Sequence, residues 1–174
     1  MTRKPRALGA LIATVQTFRV ANIAIALFFA AVLLATLPGI GAVQAALARK
    51  YGGTVDVASV IVFMRVTLLL GLPLIYVVER LLAALRAILD TVERGDPFDR
   101  VNAARLRTIG WMLLVIQLAD LIFGATRVIA KLLRIDYAGW QPNVTGWLAV
   151  LVAFVLAQVF ERGAAMRDDL DGTV

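Results

Sequence analysis

Four long apolar runs decide most of what this chain can fold into. They cover residues 18–37, 57–78, 108–128 and 144–160. Each approaches the roughly 20 residues that an α-helix needs to cross the hydrocarbon core of a bilayer. Backbone groups in lipid must find their partners inside the spanning segment, so such runs fold as helices. The sequence therefore predicts an all-α protein, a four-helix transmembrane bundle that forms a single domain over residues 1–174.

The overall composition agrees with lipid as the surrounding solvent. Hydrophobic residues make up 61% of the chain and charged residues only 17%, whereas a soluble domain carries about a quarter charged residues. A globule of this size cannot hide so many apolar side chains from water. The first partner that we expect is therefore the lipid bilayer.

The residue types that are missing exclude several kinds of chemistry. The chain has no cysteine and no histidine, and its one serine is Ser59. Disulfides, zinc sites built on Cys or His and a Ser–His–Asp catalyst are thereby excluded. Acid–base chemistry would depend on Asp, Glu or Tyr alone. We therefore expect a protein that is not an enzyme, with no catalytic residue, metal site or cofactor site.

The segment of residues 79–107, which we call the elbow, is the most charged part of the chain. It holds six of the eighteen basic and five of the twelve acidic residues. Apolar residues continue at helical spacing after the second span as far as Val92, so the helix is predicted to reach Arg94, and Gly95 suits the position that ends a helix. Pro97 cannot continue that helix, and Asp99 can cap the next one. We expect the second and third helices to extend into the cytoplasm and to meet at this elbow.

The elbow offers candidate contact positions of four kinds: charged residues, turn residues, one asparagine and one aromatic. They are Arg86, Glu93, Gly95, Pro97, Phe98, Asp99, Asn102 and Arg105. Phe98 either closes the inner end of the bundle or contacts a partner. The nearly balanced charge of the elbow is not the basic stripe that nucleic acid requires, so we expect no direct nucleic-acid binding.

The distribution of Lys and Arg predicts the orientation. Three precede the first span, six lie in the elbow and two follow the last span, whereas the other two loops hold four in all. By the positive-inside rule both termini then face the cytoplasm. An alternative is that the first run is a cleaved signal peptide, since it has a basic start and is followed by small residues.

Smaller features mark the remaining segments. Residues 42–51 have the composition of a short helix at the membrane surface, ended by two glycines. Gly71 and Pro73 predict a kink in the second span. Tyr137 and Trp140 in the second outer loop suit a membrane–water boundary.

Two ionisable residues fall well inside the spans. Arg65 and Asp120 are at similar depth in an antiparallel hairpin, with Gln117 one turn deeper. A lone charge at mid-membrane costs about 2.5–3.5 kcal/mol, which pairing would relieve. The pair is interpreted either as a structural ion pair or as a proton, ion or ligand site. A ligand cavity at this site would need a homodimer, because four helices enclose little volume.

Other charges and polar groups indicate a polar layer at the inner ends of the helices. Gln16, Arg19 and Asn22 recur every three residues on the first helix. The acids Glu79 and Glu161 close the second and fourth spans, and the expected basic members of the layer are Arg80, Arg105 or Arg162.

Two motifs together resemble a known family. The elbow reads GDPFDRVNAARLRTIGW from Gly95, and the tail reads FERGAAMRDDL from Phe160. From about Asn22 onwards the chain resembles the bacterial membrane family catalogued as domain of unknown function 2975, departing from it at Gln158 and Met166. The resemblance implies a four-helix protein of the bacterial inner membrane. It also implies a gene encoded beside a small helix-turn-helix regulator, and it carries over no catalytic residue.

Two functions remain open. The first is a membrane interaction or regulatory protein whose cytoplasmic face binds the small helix-turn-helix regulator. The second is a small transporter or sensor of a hydrophobic ligand that uses the polar site near Arg65 and Asp120.

Overall fold

The computed structural model describes residues 6–37, 41–53, 55–134 and 143–171, with the backbone alone at Arg6, Asp168, Leu170 and Asp171. Over these ranges the chain forms five α-helices and no strand. The helices are α1 (Arg6–Ala35), α2 (Ala42–Tyr51), α3 (Val57–Glu93), α4 (Arg100–Leu132) and α5 (Val144–Asp171). The all-α prediction is confirmed.

Four of these helices, α1, α3, α4 and α5, are long and apolar enough to cross a membrane. No more than 17% of the most apolar stretch of any of them is buried within the protein. These exposed apolar faces need an apolar solvent. The chain thus has the make-up of a multi-pass membrane protein. Helices α3 and α4 do continue beyond the apolar runs, whereas the side of the membrane that the elbow faces stays a prediction.

The chain divides into two compact units, which share α1, α3 and α4. The first contains the described residues of 1–22, 77–117 and 143–174, and so holds the elbow and all of α5. The second contains those of 23–76 and 118–142, and so holds α2.

In the second unit, a glycine lets α1 and α3 approach closely. The ring of Phe29 lies against Gly71. A Cβ atom at position 71 would be only 2.6 Å from Phe29 Cε2. Helix α3 runs on through Pro73 as one element, although this proline has no N–H to donate to the preceding turn. Gly71, which the sequence analysis associates with a kink, therefore has a packing role.

The start of α3 is capped by a carboxylate outside the span. Asp56 Oδ2 accepts hydrogen bonds from the hydroxyl of Ser59 at 2.7 Å and from its backbone N–H at 3.0 Å. Asp56 Oδ1 accepts one from the N–H of Ala58 at 3.2 Å. These donors, the Ser59 hydroxyl first, stabilise the ionised form and lower the pKa of the Asp56 carboxyl.

The short helix expected between the first two spans is confirmed as α2. It ends at Gly52, whose φ of 54° lies in the left-handed region that glycine tolerates, and the Gly52 N–H donates to Ala48 O at 3.0 Å. Helix α4 continues to Leu132, so it covers part of the predicted second outer loop. Tyr137 and Trp140 lie outside the described residues.

The substitution Gly71→Ala tests the approach of α1 to α3. The new methyl group would overlap the Phe29 ring, and such overpacking costs about 1–3 kcal/mol. We expect a lower melting temperature in detergent for G71A, and recovery of most of the loss in G71A/F29L, where the ring is gone. A double variant no more stable than G71A would contradict this packing.

The cap at Asp56 predicts a pH dependence with a defined sign. Because the pKa is lowered in the folded state, the carboxylate contributes stability above the ordinary pKa of aspartate. This stability is lost as the pH falls through the lowered value. In Ser59→Ala the largest cause of the shift is removed, so the NMR titration midpoint of Asp56 should rise. An unchanged midpoint would refute the assignment.

Candidate functional site

The turn of the elbow is built by local backbone rules. Gly95 has a φ of 84°, and its N–H donates to Val92 O at 3.1 Å while the N–H of Asp96 donates to Thr91 O at 3.0 Å. This pair of bonds is a Schellman motif, which satisfies the last carbonyls of α3. The roles predicted for Gly95 and Asp99 are therefore confirmed, since Asp99 Oδ1 accepts from the N–H of Val101 at 3.0 Å and caps α4.

A fully buried asparagine joins the two helices behind this turn. Asn102 is 0% exposed. Its Nδ2 donates to Thr91 Oγ1 at 2.6 Å and to Pro97 O at 3.0 Å. Its Oδ1 accepts a hydrogen bond from Arg105 Nη1 at 2.9 Å. Arg105 Nη1 also donates to Ala87 O on α3 at 3.2 Å. The amide of Asn102 thus holds the end of α3, the turn and the start of α4 at once.

Thr91 is the residue of this network that the sequence analysis missed. It is 0% exposed, and its hydroxyl donates to Ile88 O at 2.7 Å while it accepts from Asn102. The sequence did contain a signal for this residue. Thr91 interrupts a stripe of leucine, isoleucine and valine, one turn before the glycine that ends the helix. Its Asn102 partner lies eleven residues away across the turn, which spacing alone does not reveal.

The aromatic residue of the turn packs against α5. The rings of Phe98 and Phe160 have their centroids 5.3 Å apart. A Cβ atom on Gly163 would lie 3.1 Å from Phe98 Cδ1, so this glycine makes room for the ring. Phe98 nevertheless remains 45% exposed. Both interpretations of Phe98 therefore keep a structural basis, since the ring packs against α5 while the residue stays partly accessible.

Two ion pairs hold α5 beside the elbow. Arg107 Nη2 lies 2.8 Å from Glu161 Oε2, and Arg167 Nη1 donates to Asp96 Oδ1. The partner of Glu161 is thus Arg107, whereas the sequence analysis named Arg80, Arg105 or Arg162. Arg107 rather than Arg105 faces Glu161 because residues 105 and 107 point about 200° apart around α4. Arg105 consequently points to α3 and Arg107 to α5.

A third ion pair joins α1 to α3 in the same unit. Glu79 Oε1 accepts from Nε and Nη2 of Arg19 at 2.9 and 2.5 Å. Glu79 Oε2 is buried without a hydrogen-bond partner. Asn22, one turn along α1, is only 7% exposed. The predicted inner layer therefore includes the pair of Arg19 and Glu79.

The remaining predicted charges are Arg86 and Glu93 in the elbow and Arg162 on α5. Arg86 Nη1 lies 2.9 Å from Asp90 Oδ1 on the next turn of α3. This contact is ionic without hydrogen-bond geometry, and pairs of this kind contribute a few tenths of a kcal/mol. Glu93 and Arg162 are exposed.

The polar residues within the spans have the following neighbours. Arg65 donates from Nε to Thr36 Oγ1 at 3.2 Å, and from Nη2 to the Thr36 carbonyl. Gln117 is 6% exposed, and its Nε2 donates to Asn143 O at 3.2 Å. Asp120 is half-buried. The predicted pairing of Arg65 with Asp120 stays a prediction, while Arg65 also has a role in holding the end of α1.

Several grooves line the described surface. In the second unit, one of about 450 Å³ lies beside Phe28, Tyr51 and Phe63, and one of about 430 Å³ beside Val62 and Ile129. Neither of these two is lined by Arg65 or Asp120. Among the described residues, no group of three or more Asp and Glu side chains is placed to hold a metal ion.

Replacing Asn102 tests whether its amide holds the elbow. In Asn102→Leu the Pro97 carbonyl and the Arg105 guanidinium each lose a partner, and a buried polar group left unpaired costs about 1–3 kcal/mol. We expect a clear loss of thermal stability in detergent. The matched pair is Thr91→Val and Thr108→Val. Only the first removes a bond across the turn, because Thr108 donates to Ala104 of its own helix. Equal effects of the two threonine variants would contradict this role.

The comparisons with known proteins agree with the two motifs. Residues 56–174 match the family described as "Protein of unknown function (DUF2975)". The match includes the elbow and all of α5, and it begins later than the resemblance expected from about Asn22. No curated protein and no solved structure matches the chain. With most of its length covered by the family match, the chain belongs to the DUF2975 family.

Proposed function

We propose that this protein is a non-enzymatic membrane interaction protein whose elbow, together with the adjoining part of α5, binds a small helix-turn-helix regulator on the cytoplasmic side. The observation that supports it best is the buried network of Asn102, which holds an otherwise exposed surface in one conformation. A surface ordered before binding loses less entropy when a partner docks.

The chemistry of this surface suits a protein partner. Val92, Phe98 and Val101 are 39%, 45% and 50% exposed, and all three belong to one ten-residue stretch that follows the predicted second span. Exposed charges accompany them, among them Glu93 and Arg94. Aromatic and arginine side chains around an apolar centre are typical of protein–protein interfaces. The choice of a small regulator follows from the family resemblance, which implies a gene neighbour of that kind.

A charge swap on α3 tests the proposal. The double variant Arg86→Glu with Glu93→Arg keeps the net charge and leaves the contacts of Asn102 in place. We expect wild-type protein in detergent to retain the regulator encoded by the neighbouring gene, and the swap to reduce retention about tenfold or more. Such a reduction corresponds to the loss of one or two interface charge pairs.

The control for this experiment lies in the other unit. Arg49→Glu on α2 changes the net charge more than the swap does and should leave retention unchanged. An unchanged melting temperature of the swapped variant would show that the elbow is still folded. Failure of the wild type to retain the regulator, or undiminished retention by the swap, refutes the proposal.

A further inference from the structure

The apolar groove between α3 and α4 in the second unit has one ionisable residue in its described lining. The groove has a volume of about 430 Å³, and its apolar walls include Val62, Phe63 and Val66 of α3 with Ile129 and Leu133 of α4. The ionisable residue is Asp56, which directly precedes α3. Pockets of about 300–1,000 Å³ with mostly apolar walls and a few polar groups are typical small-molecule sites. The groove therefore has the size and the lining of such a site.

The carboxylate of Asp56 keeps its negative charge. It accepts hydrogen bonds from Ser59 and from the N–H of Ala58, and all of these donors are neutral. In the part of the chain that the structure describes, Asp56 forms no ion pair. The N-terminus of α3 offsets about half of an elementary charge. The remaining negative charge is available to a cation in the groove.

The basic residues at the end of α4 do not line this groove. Lys131 and Arg134 are exposed, and neither belongs to its lining. The other large apolar groove of the second unit differs in the sign of its charge, since it has Lys50 in its lining. Of these two grooves, the one beside Asp56 is therefore the one that favours a positively charged occupant.

The groove extends from the boundary of the predicted second span into that span. Asp56 lies just before the span, whereas Thr67 also lines the groove and lies about 16 Å further along the helix axis. An occupant would thus have its charge at the aqueous boundary and its apolar part at the depth of the hydrocarbon. This arrangement suits a molecule that is apolar over most of its surface and carries a charge.

We propose that this groove binds a lipophilic organic cation, with its apolar body between Val62 and Ile129 and its positive charge near the carboxylate of Asp56. The negative charge of the lining selects a cation over an anion. Phe63 adds to this selection, because the face of an aromatic ring attracts cations. The groove has the volume of a small-molecule pocket, so the occupant is a free small molecule. This site does not depend on regulator binding at the elbow.

Two probes of the same shape and opposite charge test the proposal. Tetraphenylphosphonium is a cation and tetraphenylborate an anion. Binding of each to the whole chain in an uncharged detergent is measured by equilibrium dialysis, with protein-free micelles as the baseline. Asp56→Asn removes the charge and keeps a residue that caps a helix equally well. We expect D56N to weaken phosphonium binding about fivefold, the upper end for an exposed charge pair, and not to weaken borate binding.

The matched control is the other aspartate that caps a long helix. Asp99 accepts from the N–H of Val101 at the start of α4 and lies outside the groove. Asp99→Asn should therefore leave phosphonium binding unchanged. Equal losses in D56N and D99N would overturn the proposal, as would an equal loss of both probes in D56N.

A second pair of variants tests the groove itself. Val62 and Leu69 are 57% and 56% exposed on α3, and only Val62 lines the groove. Val62→Phe fills the groove and should reduce phosphonium binding, whereas Leu69→Phe should retain it. Equal effects of these two variants contradict the proposed site. Displacement of the phosphonium by added phosphatidylethanolamine also overturns the proposal, since a lipid headgroup would then be the occupant.

Discussion

The two hydrogen bonds that Asn102 Nδ2 donates, to Thr91 Oγ1 and to Pro97 O, are what the elbow depends on. Two helices that reverse within a few residues leave carbonyls and N–H groups without helical partners. Here the Schellman motif at Gly95 and the cap at Asp99 satisfy those at the helix ends. The Asn102 amide satisfies the Pro97 carbonyl between them. The position of Phe98, and with it the packing of α5, follows from this reversal.

The charges of the first unit are used to hold helices in place. Arg19 with Glu79 joins α1 to α3, Arg107 with Glu161 joins α4 to α5, and Arg167 with Asp96 joins α5 to the turn. Exposed pairs contribute about 0–1 kcal/mol each, so the aromatic and amide contacts supply more of the stability. The pairs instead select which faces meet, because a helix rotated by one residue would leave each acid without its base.

Local rules account for what the sequence predicts well. The bounds of α2, α3 and α4 follow from apolar spacing and from the glycine, proline and aspartate that end or begin them, all of which act within a few residues. The contacts between helices cannot be predicted from such local patterns. The pairing of Arg107 with Glu161, and the fit of Phe98 against Gly163, depend on the rotation of α4 and α5 about their axes. Phe29 against Gly71 is a further example, since sequence spacing does not show which helix faces a glycine.

Arg65 illustrates how a charge within a span can use hydroxyl and backbone oxygens as partners. Its guanidinium donates to the carbonyl and hydroxyl of Thr36, just beyond the last residue of α1. The carbonyls at a helix C-terminus carry partial negative charge and have no partner within the helix. A cation there satisfies the helix end and lowers the cost of its own burial, so a structural role for Arg65 follows from this contact. The charges of the elbow need no such explanation. They lie beyond the predicted spans, where water is within reach.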